Sequence, residues 1–395
     1  MASCSKNGQI QIWQIKQVSP EITPPNNPFH SASFQQPIET LQFHPIVSSL
    51  LTFSIDNQIH LWDLIKSKSI YESPKCSQII QSFDWKYEGD LLAITNQNGE
   101  IHVWDPRIDK QSSFGLTLSG HENHRDSRVI WLGNNKSYLI STGFNKRKAK
   151  EAFLWDTRAT QKPVGVMSEF ESSTGIWIPL FDYDTNMLFL AGRNDSTIYH
   201  WDINDVINRP SNFDNNIANK QMIDTQIKGA ALANKRSLKV METEVNRINL
   251  LTNDYIASIS YKIPRKSYRD FHSDLYPETK SPELTCLLED WQGFNEGIIQ
   301  TISLNPGVNK KENLVKLNVK IGEKVMITSD KEVDQFFEIC KEDGIDVRAS
   351  IKNIVQHEHD QPKQIASMKT QPKDNEKEIQ KPQTPRRGFK SNLFS

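Results

Sequence analysis

Four of the five residues from Lys146 to Lys150 are basic (Lys146, Arg147, Lys148 and Lys150), and Arg125 and Arg128 stand upstream, shortly after His121. Such a cluster binds rather than reacts. Several cations on one loop grip a polyanionic surface, speed the encounter and make it sensitive to salt. A solvated hairpin tip has the same composition, so the cluster alone leaves both readings open. Lys235 and Arg236, with Lys239 close by, form a second basic site, for which a solvated stretch is the more economical reading. The remaining reactive groups do not assemble into an active site. His121-Glu122-Asn123-His124 sets two imidazoles three apart, rather than at the i, i+4 spacing that lets one helical face hold zinc. His357-Glu358-His359-Asp360 has metal-binding residue types but lies at the edge of a polar tail. There is no P-loop, no nucleophile elbow and no glycine-rich dinucleotide turn. Thr384-Pro385 beside Arg386-Arg387 suits a proline-directed kinase, a short motif that many chains carry by chance. The expectation is a non-enzyme without cofactor or metal.

The elements that must hold the basic loop are announced by repetition. Short β-type segments ending in tryptophan occur at Gln9 to Ile15, Gln58 to Leu64, Glu100 to Pro106, Glu151 to Thr157 and Thr197 to Ile203. Four carry Trp-Asp: Trp62-Asp63, Trp104-Asp105, Trp155-Asp156 and Trp201-Asp202. From Trp13 onward the tryptophans are 49, 42, 51 and 46 residues apart. A period of about 40–45 residues with this dipeptide marks the blade of a WD-repeat β-propeller, the excess falling in loops. Six residues before the tryptophan sit Asn7, Asp56, Asn98, Ala149 and Asp195; the Asn and Asp suit the tight turn into a blade's third strand. Three before it come Ile10, Ile59, Ile101, Ala152 and Ile198, and one before it Ile12, Leu61, Val103, Leu154 and His200. Strand side chains alternate with period two, so these two positions share one face and predict a stacked apolar core. Gly120-His121 reads as the propeller's Gly-His pair, its imidazole bonded within a blade.

Composition agrees. The chain has 395 residues, 36% of them hydrophobic, and a formal net charge of −1, so no global field draws it to nucleic acid or to a membrane. Cys4, Cys76, Cys286 and Cys340 make neither a CxxC pair nor a disulfide pattern, which favours a reducing, intracellular compartment. No apolar run approaches the roughly 18 residues that a membrane span requires, and no signal-peptide stretch opens the chain.

Along the chain, residues 1–266 are expected to form the propeller. Met1 to Ile15 supplies one or two strands and Ser19 to Pro28 a loop. Blades then run from about Phe34 to Lys66, Ile70 to Arg107, Leu118 to Arg158 and Gly165 to Ile203. A sixth, from Gln221 to Lys266, draws on the strand-like SLKVMETE and YIASISYKI but has no Trp-Asp. That makes five to six visible blades. Closure then requires either the N-terminal strands to complete the ring or residues upstream of this chain. Residues 267–300, rich in aromatic and acidic residues, are expected to pack on the ring. Residues 301–360 carry a weak β-like stretch (Leu314 to Ile327) and a capped helix at about Asp330 to Asp343. Residues 361–395, with eight basic and three acidic residues, predict a disordered basic tail.

Beyond the generic repeat the text becomes specific. STGFNKRKAKEAFLWDTR (Ser141 to Arg158) resembles the "TGFS…LWD" blade of the coronin family, and Ser172 to Ile198 resembles its next blade. KRSLKVMETEVNRINLLTND (Lys235 to Asp254), IPRKSYRDFHSDLYPET (Ile263 to Thr279) and LEDWQGF (Leu288 to Phe294) are similar to the family's "PKR.L.V…E..R…L", "VPRK…F..DLYP.T" and "EEW..G" stretches. The resemblance covers roughly residues 1 to 300 and implies a seven-bladed propeller that binds filamentous actin (F-actin) and regulates its organisation and turnover. The Arp actin-nucleating complex and cofilin are the further partners it implies, and the actin cytoskeleton at the cell cortex the location. Met1 aligns inside the family's second blade, upstream of which the family places a basic actin-contacting segment. The chain is therefore expected to be an N-terminally incomplete, truncated or divergent product. No heptad pattern follows Leu314, so the family's coiled coil and the oligomerisation it brings are not expected. On this resemblance the filament-binding candidates are Lys146, Arg147, Lys148, Lys150, Arg125, Arg128, Lys235 and Arg236, while Phe271, Leu275 and Tyr276 pack the extension onto the ring. The alternative is a WD-repeat scaffold for trafficking or complex assembly that does not bind filaments.

Overall fold

A computed structural model describes residues 1–307 except 14–26, 109–112, 124, 134–136, 160–161, 169–174, 211–212, 214–218, 284–285 and 296–298. The strand expected at Leu314 to Ile327, the helix at Asp330 to Asp343, the His357 cluster, the basic tail and most of the Ser19 to Pro28 loop lie outside the described residues.

Among the described residues six antiparallel sheets follow one another in chain order. The first comprises β1 (Ala2–Cys4), β2 (Gln9–Ile12) and β3 (His30–Ser33). The second comprises β4 (Ile38–Phe43), β5 (Leu50–Ile55), β6 (Gln58–Asp63) and β7 (Lys68–Glu72). The third is built from β8 (Ile80–Trp85), β9 (Leu92–Asn96), β10 (Glu100–Trp104) and β11 (Leu116–Ser119). β12 (Arg128–Leu132), β13 (Tyr138–Phe144), β14 (Lys150–Asp156) and β15 (Gly165–Ser168) make the fourth. β16 (Trp177–Asp182), β17 (Met187–Gly192), β18 (Thr197–Asp202) and, after the short helix α1 (Ile203–Asn208), β19 (Asn219–Met222) make the fifth. The sixth holds β20 (Gly229–Leu232), β21 (Glu244–Leu251) and β22 (Ile256–Lys262).

The local reasons are those of the repeat. The turn into each third strand needs a left-handed residue, and Asp56, Asn194 and Lys148 take φ of 51°, 57° and 64° there. Gly8 and Gly99 take the equivalent place at 75° and 76°, where an added Cβ would also strike the carbonyl oxygens of Phe34 and His121. Ile10, Ile59, Ile101, Ala152 and Ile198 are all buried, as the alternation requires, and of the second set only His200 stays partly exposed. The repeat and the sheet are nevertheless out of phase. Ile70, Leu118 and Gly165, each the start of a repeat, lie on β7, β11 and β15, the outer strands of the preceding sheets. Each repeat therefore straddles two sheets and fastens them covalently. One expectation fails. SLKVMETE is not a strand but two short 3-10 turns, Lys235–Ser237 and Val240–Glu242, ending at Thr243 in the left-handed region. Its Leu238 and Val240 face inward every second residue, which mimics a strand in the sequence.

Core clusters lie between successive sheets: Ile10, Ile12, Leu51 and Phe53 between first and second, Leu61, Trp85 and Trp104 between second and third, Trp131 and Trp155 between third and fourth. Trp177, Leu154 and Trp201 continue the series, and Phe189, Ile198 and Ile248 end it. Burying one such side chain is worth about 1.5–3 kcal/mol, so these layers dominate stability. Polar clasps set the angle between sheets. The carboxylate of Asp84 on β8 accepts the Trp131 backbone N–H (2.9 Å) and the Gln42 side-chain amide (3.2 Å), spanning three sheets. Trp85 Nε1–H donates to Thr52 (2.9 Å), and Thr142 donates to the Trp177 carbonyl (2.8 Å).

Two cations expected at a binding surface belong instead to these clasps. Lys150 is fully buried, with Nζ 2.9 Å from Asp195 and 5.6 Å from the centre of the Trp177 ring, so it joins the fourth sheet to the fifth. Lys235 Nζ lies 2.5 Å from Asp182, 2.8 Å from the Val245 carbonyl and 2.9 Å from Asn246 Oδ1, joining the fifth to the sixth. Both drop out as surface candidates, because an ammonium with little or no exposure and a carboxylate partner does not reach an external anion.

The segment after β22 lies on the edge of the sheets where first strands turn into second strands. Phe271, Leu275 and Tyr276 pack on Leu238, Val240 and Val245, and the Tyr276 hydroxyl donates to the Glu244 carbonyl (3.0 Å). Helix α2 (Leu288–Gln292) buries Trp291, whose Nε1–H donates to the Gly89 carbonyl (2.8 Å). A two-stranded sheet of β23 (Thr279–Lys280) and β24 (Thr301–Ile302) completes it.

Two stability measurements check these clasps. Burial pushes the Asp84 carboxyl up to about 7. The folded state therefore holds a proton that the unfolded chain releases near pH 4, and stability falls as pH rises from there through about 7. Asp84→Asn removes this loss, so its Tm should gain on that of the unmodified protein by about 5 °C between pH 5 and pH 8. Lys150→Met strands Asp195 and should cost about 3 kcal/mol in denaturant unfolding, far beyond the effect of a surface lysine.

Candidate functional site

The turn between β13 and β14 is held rigidly from below. His121 is buried, with Nδ1 2.9 Å from Glu151 and Nε2 3.0 Å from the Ser141 hydroxyl, which also accepts Trp155 Nε1–H at 2.9 Å. This chain fixes β13 to β14 just below the turn and fits Nδ1–H as donor to the carboxylate, with Ser141 donating to Nε2. In the turn itself Asn145 Oδ1 accepts the backbone N–H of Arg147 (2.8 Å) and of Ala149 (3.0 Å), an Asx arrangement that forces the intervening side chains outward.

Lys146, Arg147 and Lys148 are exposed there. Lys146 pairs with Glu122 at 2.9 Å, but both side chains are more than half exposed, so the pair is worth less than about 1 kcal/mol and yields readily to another anion. Among the described residues no carboxylate lies within ion-pair distance of Arg147 or Lys148. Arg125 is exposed beside the same edge, its guanidinium 5.5 Å from the Phe144 ring. Arg128 is more committed, held by Asp126 and the Gln81 carbonyl (3.0 Å) with less than a third of its side chain exposed.

The geometry adds a cation that the sequence reading missed. Arg193, half-exposed at the turn between β17 and β18, lies 3.6 Å from Asp126 and so joins Arg125 and Arg128 on this edge. Its only sequence signal was its place just before the Asn194-Asp195 turn. Arg236 is exposed but sits beside Lys235 on the opposite edge, where Asp182 ends β16, so the second basic site does not merge with the first. The Trp-Asp carboxylates are structural caps: Asp63 accepts the Ile65 N–H (2.9 Å), Asp105 and Asp156 chelate Arg107 and Arg158, and Asp202 caps α1 through Asn204 (2.9 Å). Their tryptophans, Trp62, Trp104, Trp155 and Trp201, pack between sheets. Among the described residues no three metal-ligating side chains come together, and no helix is long and apolar enough to cross a membrane.

Known proteins match this arrangement. A family model described as a type of WD40 repeat covers residues 256–293, that is β22 and the extension. The chain is 30% identical over 306 residues to Coronin-7 of Mus musculus, covering 78% of this chain and 32% of that protein. It is 31% identical to the coronin-like protein crn1 of Schizosaccharomyces pombe, covering 74% of this chain and 47% of that one, and 30% identical to Coronin-2A of Bos taurus, covering 78% and 58%. The chain thus spans from about a third to under three-fifths of the length of these relatives. The crystal structure of the WD40 domain of Toxoplasma gondii coronin superposes with a TM-score of 0.68 at 23% identity over 77% of each chain, which establishes the propeller architecture. The all-β arrangement of six successive sheets among the described residues, with its packed extension, is a coronin-type WD-repeat propeller, and the chain is a homologue of the coronins.

Proposed function

We propose that this chain binds actin filaments through the edge carrying Lys146, Arg147, Lys148, Arg125 and Arg193, and thereby tunes filament organisation and turnover. The observation that carries the reading is a rigid turn that holds three exposed cations outward, two of them without a carboxylate partner among the described residues. Filamentous actin is an acidic polymer, and fixed cations on a preordered loop meet it with little loss of conformational freedom. Coronin-type sequence implies the same partner, with the Arp actin-nucleating complex and cofilin as further ones and the actin cytoskeleton at the cortex as the location. Arg128 contributes to the field of this edge rather than to contact, because Asp126 already holds it.

Cosedimentation with filaments tests the proposal. Pelleting is expected at low salt and should weaken steeply as ionic strength rises, since exposed charges are screened within about 8–10 Å. The combined change Lys146→Glu, Arg147→Glu and Lys148→Glu should weaken pelleting at least about tenfold while leaving Tm unchanged, because reversed rim charges change association without touching the core. Absence of pelleting at low salt rejects filament binding for this chain and leaves the propeller as an assembly platform. Unchanged pelleting by the triple variant rejects the assignment of the loop.

A further inference from the structure

On the edge opposite the basic turn, the connection between β8 and β9 meets that between β16 and β17 beneath the extension. With the extension they line an open cavity of about 470 Å³, within the range of small-molecule sites. Tyr87 and Tyr183 wall it, their ring centres 4.7 Å apart and their planes at 41°. Three carboxylates line it from three separate segments: Glu88, Asp184 and, from the extension, Glu278. Two have company already, since Lys86 approaches Glu88 at 3.7 Å and the Thr301 hydroxyl donates to Glu278. Asp184 is the third. Thr279 supports its carboxyl, but Oδ2 is buried and has no hydrogen-bond partner among the described residues, and burial raises its pKa. A buried acceptor left without a donor is unfavourable, and a bound donor relieves it.

We propose that this cavity receives the cationic head of an alkylammonium or alkylguanidinium, with Asp184 as its anion, Glu278 as its second acceptor, and the Tyr87 and Tyr183 rings packed against the charge. Anionic ligands are repelled by the three carboxylates. A bare metal ion is disfavoured, because the described residues bring no three metal ligands together and the aromatic walls offer it no donor. An organic cation suits both surfaces, since aromatic faces attract ammonium and guanidinium groups and gain most where water is excluded. The fold already uses this chemistry at the wall itself: Lys280 lays its Nζ 4.6 Å from the centre of the Tyr87 ring, desolvated enough to lower its pKa to about 8. Ile299, also in the lining, gives the aliphatic stem of such a ligand an apolar surface. The source of the head group is a lysine or arginine side chain of a partner polypeptide or a free amine.

Calorimetric titration of the full chain with N-acetyl-lysine amide, N-acetyl-arginine amide and butylammonium tests this, with N-acetyl-norleucine amide as the uncharged match. Saturable binding of at least one cation is expected in the millimolar range typical of single side chains, with none by the norleucine compound. Tighter binding of the capped amino acids than of butylammonium assigns the site to a polypeptide, and equal binding assigns it to a free amine. Glu278→Gln, at an exposed position, should weaken binding about threefold, and Asp184→Asn about tenfold with melting checked in parallel. The triple charge reversal in the β13–β14 turn should leave this binding unchanged, so its outcome is separate from filament binding. No saturation by any cation, equal binding of norleucine, or unaltered affinity in both acid variants of a folded protein overturns the proposal.

Discussion

The sheets between the first and the last are apolar on both faces along their inner strands, and neither face can be left to water. Every residue of β5 and β9 is buried, and β17 is buried from its second residue to its last. A strand buried on both sides needs a neighbouring sheet on each side, so the sheets must stack in series. Hydrophobic layers supply the energy, but they are tolerant of angle. The polar clasps are not: Asp84 reaches from the third sheet to the second and the fourth, Lys150 from the fourth to the fifth, and Lys235 from the fifth to the sixth. Directional contacts of this kind restrict the angle between neighbouring sheets and hence the spacing of the turns at each edge. The basic turn inherits its rigidity from this frame, since His121, Ser141, Glu151 and Trp155 belong to the core as much as to the site.

Much of this was legible in the residues. The Trp-Asp period fixed the sheet count to within one, and the alternation around each tryptophan identified the buried positions, from Ile10 to Ile198. The Gly-His pair at Gly120-His121 correctly signalled a bonded imidazole. What escaped depended on contacts remote in the chain. Lys235 looks like a surface cation until Asp182, 53 residues away, is brought beside it. Asp84 gives no local sign that it meets a backbone N–H 47 residues on. Lys150 is more instructive because a local signal did exist. Counting back by twos from Leu154, the residue before Trp155, passes through Ala152 to Lys150, which places its side chain on the same buried face. The charge run that made Lys146, Arg147 and Lys148 conspicuous hid the point where the turn stops and the strand begins.

The two edges of the sheets are built differently. On one edge the turns leading into the third strands are short, exposed and basic around Lys146, Arg125 and Arg193. On the other, the connections between first and second strands are covered by the extension, which brings Trp291 and Tyr276 into the core and Glu278 to the cavity. Both edges carry cations, Lys235 and Arg236 standing on the second, so the two differ in what covers them rather than in the sign of their charge. Exposed charges are screened within about one Debye length, so the field of one edge acts little on the other. The polyanion proposed for one side would therefore not weaken the cation proposed for the other. The same frame that makes the sheets interdependent in folding thus leaves their two edges separable in binding.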